Sequence, residues 1–281
     1  MFQEMIKSFS KLIEAVAAMR EVMSMGKSGG ADLPQAGESD IDIFVFCENI
    51  PSVQTRQSAM ESLGGSVTEI HISPSPGKHW GTCDRVLLSD MEVCLMYFTI
   101  AGMNGEIEST LSGARPDKED NCFYPTGRCA SFLTMHILYD RHGYIADMQK
   151  RMRVFPDALA ARLVRCHIES LADVEDLERA VSRKDALFYH FALDLALDHF
   201  LQALFALNRC YFPSRKRTVS FIETFLRKPE RCAERILDVV ALGACGERLS
   251  QSYKEFVSLC QELAALSQYC QEGEPDQCRD R

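Results

Sequence analysis

The 281-residue sequence contains no uninterrupted apolar run of the roughly 20 residues that a membrane-spanning helix needs, so no contact with a bilayer is expected. Its twelve cysteines include no Cys-x-x-Cys pair. A zinc ribbon or a dithiol redox centre is therefore excluded, and the thiols read as reduced and mostly buried in a cytoplasmic protein. Positive charge is in short supply: the net charge is −9 at pH 7. That balance argues against broad nonspecific binding to nucleic acid, which rests on neutralising many phosphates, and leaves only a local basic patch open. No internal repeat is present. At the N-terminus Phe2, Met5, Ile6, Phe9, Leu12, Ile13 and Val16 recur at helical spacing, interrupted by Glu4, Lys7, Lys11 and Glu14. This is the pattern of an amphipathic packing helix and not of a signal-peptide core.

What the chain does have is 46% hydrophobic residues over a length that suggests two domains. The first half alternates strand and helix patterns: a strand over Ile41 to Cys47, a helix over Pro51 to Leu63, a strand over Val67 to Ile72, and a hairpin over Arg85 to Phe98 turning at Ser89-Asp90. Met103 to Leu111 reads as helix, Ser112 to Thr126 as a loop that could border a site, and Tyr144 to Met152 as helix after an Arg141-His142-Gly143 turn. Beyond Pro156 the patterns are helical: Asp157 to Leu171, Val174 to Val181, Asp185 to Arg209, Val219 to Leu226, Glu230 to Leu242 and Glu247 to Tyr269. The expected architecture is an α/β (α+β) core with a mixed sheet over residues 1–153, an all-α bundle over 154–271, and a polar, disordered tail over 272–281.

The most informative stretch is Glu38-Ser39-Asp40-Ile41-Asp42-Ile43-Phe44-Val45-Phe46. The period of two in a strand sends Asp40 and Asp42 to one face and Ile41 and Ile43 to the other. Two anions so placed repel each other, and Mg2+, which takes oxygen ligands and keeps waters that phosphates can displace, converts that repulsion into attraction. A solvated acidic strand end is the plainer alternative. Upstream, Gly26-Lys27-Ser28-Gly29-Gly30 reads as a glycine-rich turn whose amides and hydroxyl can donate to phosphate oxygens. It is not a Walker A loop, because that motif needs a glycine where this chain has Glu21.

A Gly-Ser turn followed about a dozen residues later by Ser-Asp-x-Asp resembles the nucleotidyltransferase superfamily of the DNA polymerase beta type. The resemblance implies that the turn (Gly26, Lys27, Ser28, Gly29), together with Ser39, holds the triphosphate, and that Asp40 and Asp42 hold the metal, Mg2+ or Mn2+. Lys27 interrupts the usual Gly-Ser dipeptide, so either Ser28 or a glycine amide would make the phosphate contact. A third carboxylate belongs on a neighbouring strand. Glu92 opens the second arm of the hairpin on a face shared with Cys94, Met96 and Phe98, where a charge needs a partner. Asp90 competes, but a turn explains it without metal.

In the helical half, Asp185 to Arg209 is apolar nearly all round and should be central and buried, yet His190, Asp194 and Asp198 form a polar stripe at i, i+4 spacing. Salt bridges to Arg162, Arg165, Arg179 or Arg183 would explain it. Otherwise Asp194 or Asp198 faces the cleft as a base, as helical-domain carboxylates do in the similar antibiotic-modifying nucleotidyltransferases. The next stretch, Phe205-Ala206-Leu207-Asn208-Arg209-Cys210-Tyr211-Phe212-Pro213, resembles a run in an uncharacterised bacterial branch of the same superfamily, and the likeness covers about residues 20 to 265. Arg209 and the Arg215-Lys216-Arg217 trio are candidate phosphate, substrate or RNA contacts, Arg209 foremost as a nucleotide-binding residue. His71, His79 and Trp80 fall in a Pro- and Gly-rich connection and are not assigned to the site.

The resulting expectation is a transferase that moves a nucleoside monophosphate, AMP from ATP, to a hydroxyl of a small polar acceptor resembling an aminoglycoside or lincosamide, with release of pyrophosphate. The alternatives are transfer to protein or RNA, or a nucleotide-sensing, antitoxin-like binding protein without turnover. A homo-oligomer is left open.

Overall fold

The computed structural model describes residues 2–33, 40–77, 79–88, 90–119, 123–172 and 174–269. Ser39, the hairpin tip at Ser89 and the tail 272–281, on each of which the sequence carries an expectation, lie outside them. The chain divides into two compact units, residues 1–110 with 128–154 and residues 111–127 with 155–281. The segment 111–127, which the sequence reading keeps in the first domain, thus belongs with the helices.

The first unit runs α1 (Phe2–Ala17), β1 (Val22–Lys27), β2 (Ile41–Cys47), α2 (Val53–Glu61), β3 (Val67–His71), β4 (Thr82–Leu88), β5 (Met91–Thr99), α3 (Ile100–Leu111), α4 (Pro125–Thr134), β6 (His136–Asp140) and α5 (Tyr144–Met152). Its mixed sheet has the order β3-β4-β5-β2-β1-β6. The β2 and β5 strands are parallel, and all other neighbours are antiparallel. Alternation in β2 decides which side is core: Ile41, Ile43, Val45 and Cys47 pack with Val93, Leu95 and Tyr97 of β5 against Met5, Phe9, Leu12 and Val16 of α1 and Met60 of α2. On the opposite face Phe44, Phe46 and Phe98 stack with Phe132 and Tyr144. That aromatic cover stops at Asp42, Cys94 and Arg85, where the sheet face turns polar.

Three elements escaped the sequence reading. The β1 strand carries Ser24, Gly26 and Lys27 and has weak strand propensity, yet it is paired on both sides, by β2 and β6, so sheet context overrides composition. The β6 strand forms the sheet edge beyond it. The α4 helix begins at Pro125, a residue suited to a first helical turn, inside a stretch that read as loop.

The second unit contains α6 (Asp157–Leu171), α7 (Glu175–Arg183), α8 (Ala186–Leu207), α9 (Thr218–Thr224), α10 (Cys232–Gly243) and α11 (Leu249–Tyr269). From Phe200 to Leu207 every residue of α8 is buried, with Phe200 against Phe256 of α11. Its first half is not buried all round as expected: Leu187 is 86% and Phe191 59% exposed. No helix of the described residues is long and apolar enough to cross a membrane.

Candidate functional site

The end of β1 and the start of β2 lie side by side. Lys27 pairs with Ile43, and the Ser28 amide donates to the Asp42 carbonyl at 2.9 Å, so the turn after β1 opens directly beside the paired aspartates. Gly29 and Gly30, at φ +79° and +87°, occupy the left-handed region that side chains resist, and they let the chain reverse there. The turn is shorter than the sequence suggested, because Gly26 and Lys27 belong to the strand. Gly26 faces Met135 and Ile145, and a Cβ there would overlap the Met135 side chain. Packing alone accounts for glycine at this position. We expect Gly26→Ala to cost about 1–3 kcal/mol by overpacking, seen as a lower melting temperature. Lys27 is buried, and its ammonium donates to the Ser28 and Asp32 carbonyls at 3.2 and 2.8 Å. Burial lowers its pKa against the opposing pull of Asp32. The lysine braces the loop from within instead of projecting to a ligand.

Asp40 stands exposed just before β2, Asp42 is half-buried on it, and Cys94 lies opposite Asp42 in the parallel register; ligand atoms of all three fall within 4.8 Å of one another. Glu92, two residues before Cys94, is exposed, with Oε1 3.9 Å from Cys94 Sγ and 3.7 Å from Arg85 Nε. Asp90, at φ +65°, belongs to the hairpin turn. The donor chemistry fits a hard cation: the two aspartates offer oxygens, whereas the hydrogen bond to Cys83, burial, and then Asp42 and Glu92 push the Cys94 thiol far up and keep it protonated. Cys83 moves the other way. The hydrogen bond from Cys94 holds its pKa below the ordinary 9.0, against burial, and Arg85 assists. Cys83 should therefore be the first described thiol to react with iodoacetamide near neutral pH, its rate rising with the thiolate fraction and reaching half its plateau below 9.0. Peptide mapping of the labelled protein checks this.

These residues edge an open cleft of about 520 Å³, lined by Asp42, His71, Ser73, Gly77, Trp80, Gly81, Cys83, Arg85, Cys94 and Met96. His71 and Trp80, left unassigned from sequence, are thus part of its wall. Trp80 is held there by Arg128, which is 3% exposed. The Arg128 guanidinium lies 4.8, 5.4 and 5.5 Å from the ring centres of Phe98, Trp80 and Phe44, donates to the His79 carbonyl and pairs with Glu106 at 3.3 Å. The signal in the sequence was a lone tryptophan among His, Gly and Pro, which also fits a local hydrophobic plug. Only the arginine, 48 residues further along the chain, separates the two readings.

In the second unit Asp198 is buried and saturated. Lys118 pairs with it, Tyr124 Oη donates at 2.7 Å and Arg215 Nε at 2.6 Å. Burial would raise its pKa, but the hydrogen bonds from Lys118, Tyr124 and Arg215 outweigh that and hold it below the ordinary carboxylate value. Asp194 is exposed and shares Arg215 at 2.5 Å. The two aspartates of the stripe are therefore held by ion pairs, though with Arg215 and Lys118 and not with the four arginines named above, while His190 packs edge-on to Tyr189. Arg215 is spoken for, so only Lys216 and Arg217 of the basic trio are exposed. Asn208 donates to the Leu204 and Arg227 carbonyls at 2.8 Å each, and Tyr211 and Phe212 are buried beneath. Arg209, at φ +53°, pairs with Asp157 at 3.0 Å and, with Arg227, edges a pocket of about 70 Å³.

A family model described as a domain of unknown function (DUF4037) matches residues 124–217, a third of the chain. The match contains Tyr124, Asp194, Asp198 and Arg215. No curated protein matches the sequence. Among solved structures the chain is similar to a nucleotidyltransferase-like protein from Exiguobacterium sibiricum 255-15, at 12% identity over 93% of this chain and 78% of that one, with a TM-score of 0.47.

Proposed function

We propose that the first unit is a metal-dependent nucleotidyltransferase that moves a nucleoside monophosphate, AMP from ATP, to a hydroxyl of a small polar acceptor of the aminoglycoside or lincosamide kind. The observation that carries the reading is the hydrogen bond from Ser28 N to the Asp42 carbonyl, which seats a turn with two uncrowded glycines beside the paired aspartates, Asp42 of which lines the cleft. Asp40 and Asp42 would hold Mg2+, which when bound neutralises triphosphate charge and lowers the pKa of an attacking hydroxyl, with Glu92, 3.9 Å from Cys94 Sγ, as the neighbouring carboxylate. The Gly29 and Gly30 amides and the Ser28 hydroxyl would donate to the terminal phosphates. Trp80, 46% exposed, offers a ring face for the base, and Arg85 supplies a cation on the same wall. His71 lines the cleft and is suited to take the acceptor's proton, a role for which the cation-saturated Asp198 is a poor choice.

Lys27, which interrupts the usual Gly-Ser dipeptide, folds its ammonium onto the Ser28 and Asp32 carbonyls and so is compatible with phosphate at the glycine turn. The test is pyrophosphate release from each of the four nucleoside triphosphates with Mg2+ or Mn2+ against a panel of hydroxylated acceptors. Release with one nucleotide and one acceptor class supports the reading; no release from folded protein under any combination counts against it.

A further inference from the structure

We propose that Asp117, His167 and His199 of the second unit form a binding site for one borderline divalent cation, Zn2+ by its chemistry, separate from the Asp40 and Asp42 cluster. Their ligand atoms all lie within 4.8 Å of one another. His167 on α6 is fully buried, and its Nδ1 is 3.0 Å from Nδ1 of His199 on α8. The other ring nitrogen of His167, Nε2, sits 2.8 Å from the Pro116 carbonyl. A carbonyl only accepts, so Nε2 carries the proton and the Nδ1 lone pair points at His199. This backing of a ring nitrogen by a carbonyl is the arrangement that fixes metal-ligating histidines.

The carboxylate is oriented in the same way. Gln202, itself buried, donates to Asp117 Oδ1 at 2.9 Å, and the Lys118 amide donates to the same oxygen at 2.7 Å. Oδ2 is left on the side of the two rings, 3.9 Å from His199 Nδ1. Two nitrogens bound tetrahedrally at about 2.0–2.1 Å would stand about 3.3 Å apart, a few tenths from the separation here. Two imidazoles and one carboxylate suit Zn2+ far better than Mg2+. A His-His hydrogen bond alone would account for the ring separation, but not for a third, doubly held carboxylate aimed at the same point.

The bound ion would fasten the 111–127 segment to α6 and α8, next to the Lys118 pair with Asp198. It stands independently of the reading of the cleft. The experiment is titration of the metal-stripped full chain with Zn2+ against a competing chelator, with Co2+ absorption as a spectroscopic readout. Two variants at the accessible ligands, His199→Gln and Asp117→Asn, are measured beside Asp42→Asn, each checked for folding by circular dichroism. The expected result is one equivalent in the wild type and in Asp42→Asn, with affinity weaker by at least about tenfold in the other two, and a Co2+ spectrum without thiolate charge transfer. Absence of saturable binding by the folded wild type, unchanged affinity in both ligand variants, or loss of the ion in Asp42→Asn alone would each overturn the proposal.

Discussion

Asp42→Asn is expected to lower the rate of pyrophosphate release by at least about a hundredfold while leaving the fold intact. The substitution keeps the shape of the side chain and removes only its charge. The Asp42 carbonyl, which anchors the turn through Ser28, and its pairing with Cys94 are backbone features that asparagine retains. Its side chain is half-buried at the cleft and outside the main core, so the melting temperature should barely move. A parallel measurement on Glu92→Gln and Cys94→Ser identifies the third group at the metal. With a hard cation bound, the glutamate change should matter and the thiol change should be mild.

Arg56→Ala is expected to cost about 3–5 kcal/mol in stability, because it leaves Asp84 as an uncompensated charge in the interior. Arg56 and Asp84 are 2% and 0% exposed and face each other across α2 and β4. Arg56 also donates to the Pro51 carbonyl at 3.0 Å and the Ser73 carbonyl at 2.9 Å, and Asp84 accepts from Ser73 N at 3.0 Å. Ser73 lines the cleft, so the pair also pins one wall of the site. In melting experiments the loss should appear as a drop of roughly 10 °C. The pH dependence has a definite sign. Burial already raises the Asp84 pKa, and Arg56 is what opposes it. Without the cation the Asp84 carboxyl stands still further above its unfolded value of 3.8, so the variant's stability should fall as pH rises from 3.8 toward that raised pKa. Restoring an apolar match with Arg56→Met and Asp84→Leu together should recover much of the loss.

How far the sequence carries depends on whether a feature is local. The β2 and α5 boundaries were readable to the residue, because alternation in one and a Gly-initiated amphipathic run in the other are complete within the segment. The β1 strand was not, since its strand character comes from neighbours on both sides, and that error displaced the phosphate turn by two residues. That Asp40 and Asp42 lie side by side follows from strand spacing alone. Trp80, His71 and Cys94 were not assigned, because what brings them to the cleft is Arg128 for the first, the β3 to β4 register opposite Arg85 for the second and the β2 to β5 register for the third. In the helical unit the i, i+4 stripe was visible, but its partners Lys118, Tyr124 and Arg215 lie outside the helix and could not be inferred from it. The same distance hid the meeting of Asp117, His167 and His199.

The central claim is that the Ser28 turn and the Asp40 and Asp42 pair together bind a metal-nucleotide complex. Calorimetric titration of the full chain with ATP, in Mg2+ and in excess chelator, tests it most directly. The account predicts saturable binding that requires Mg2+ and disappears in Asp42→Asn; binding that is indifferent to both the metal and that substitution would contradict it.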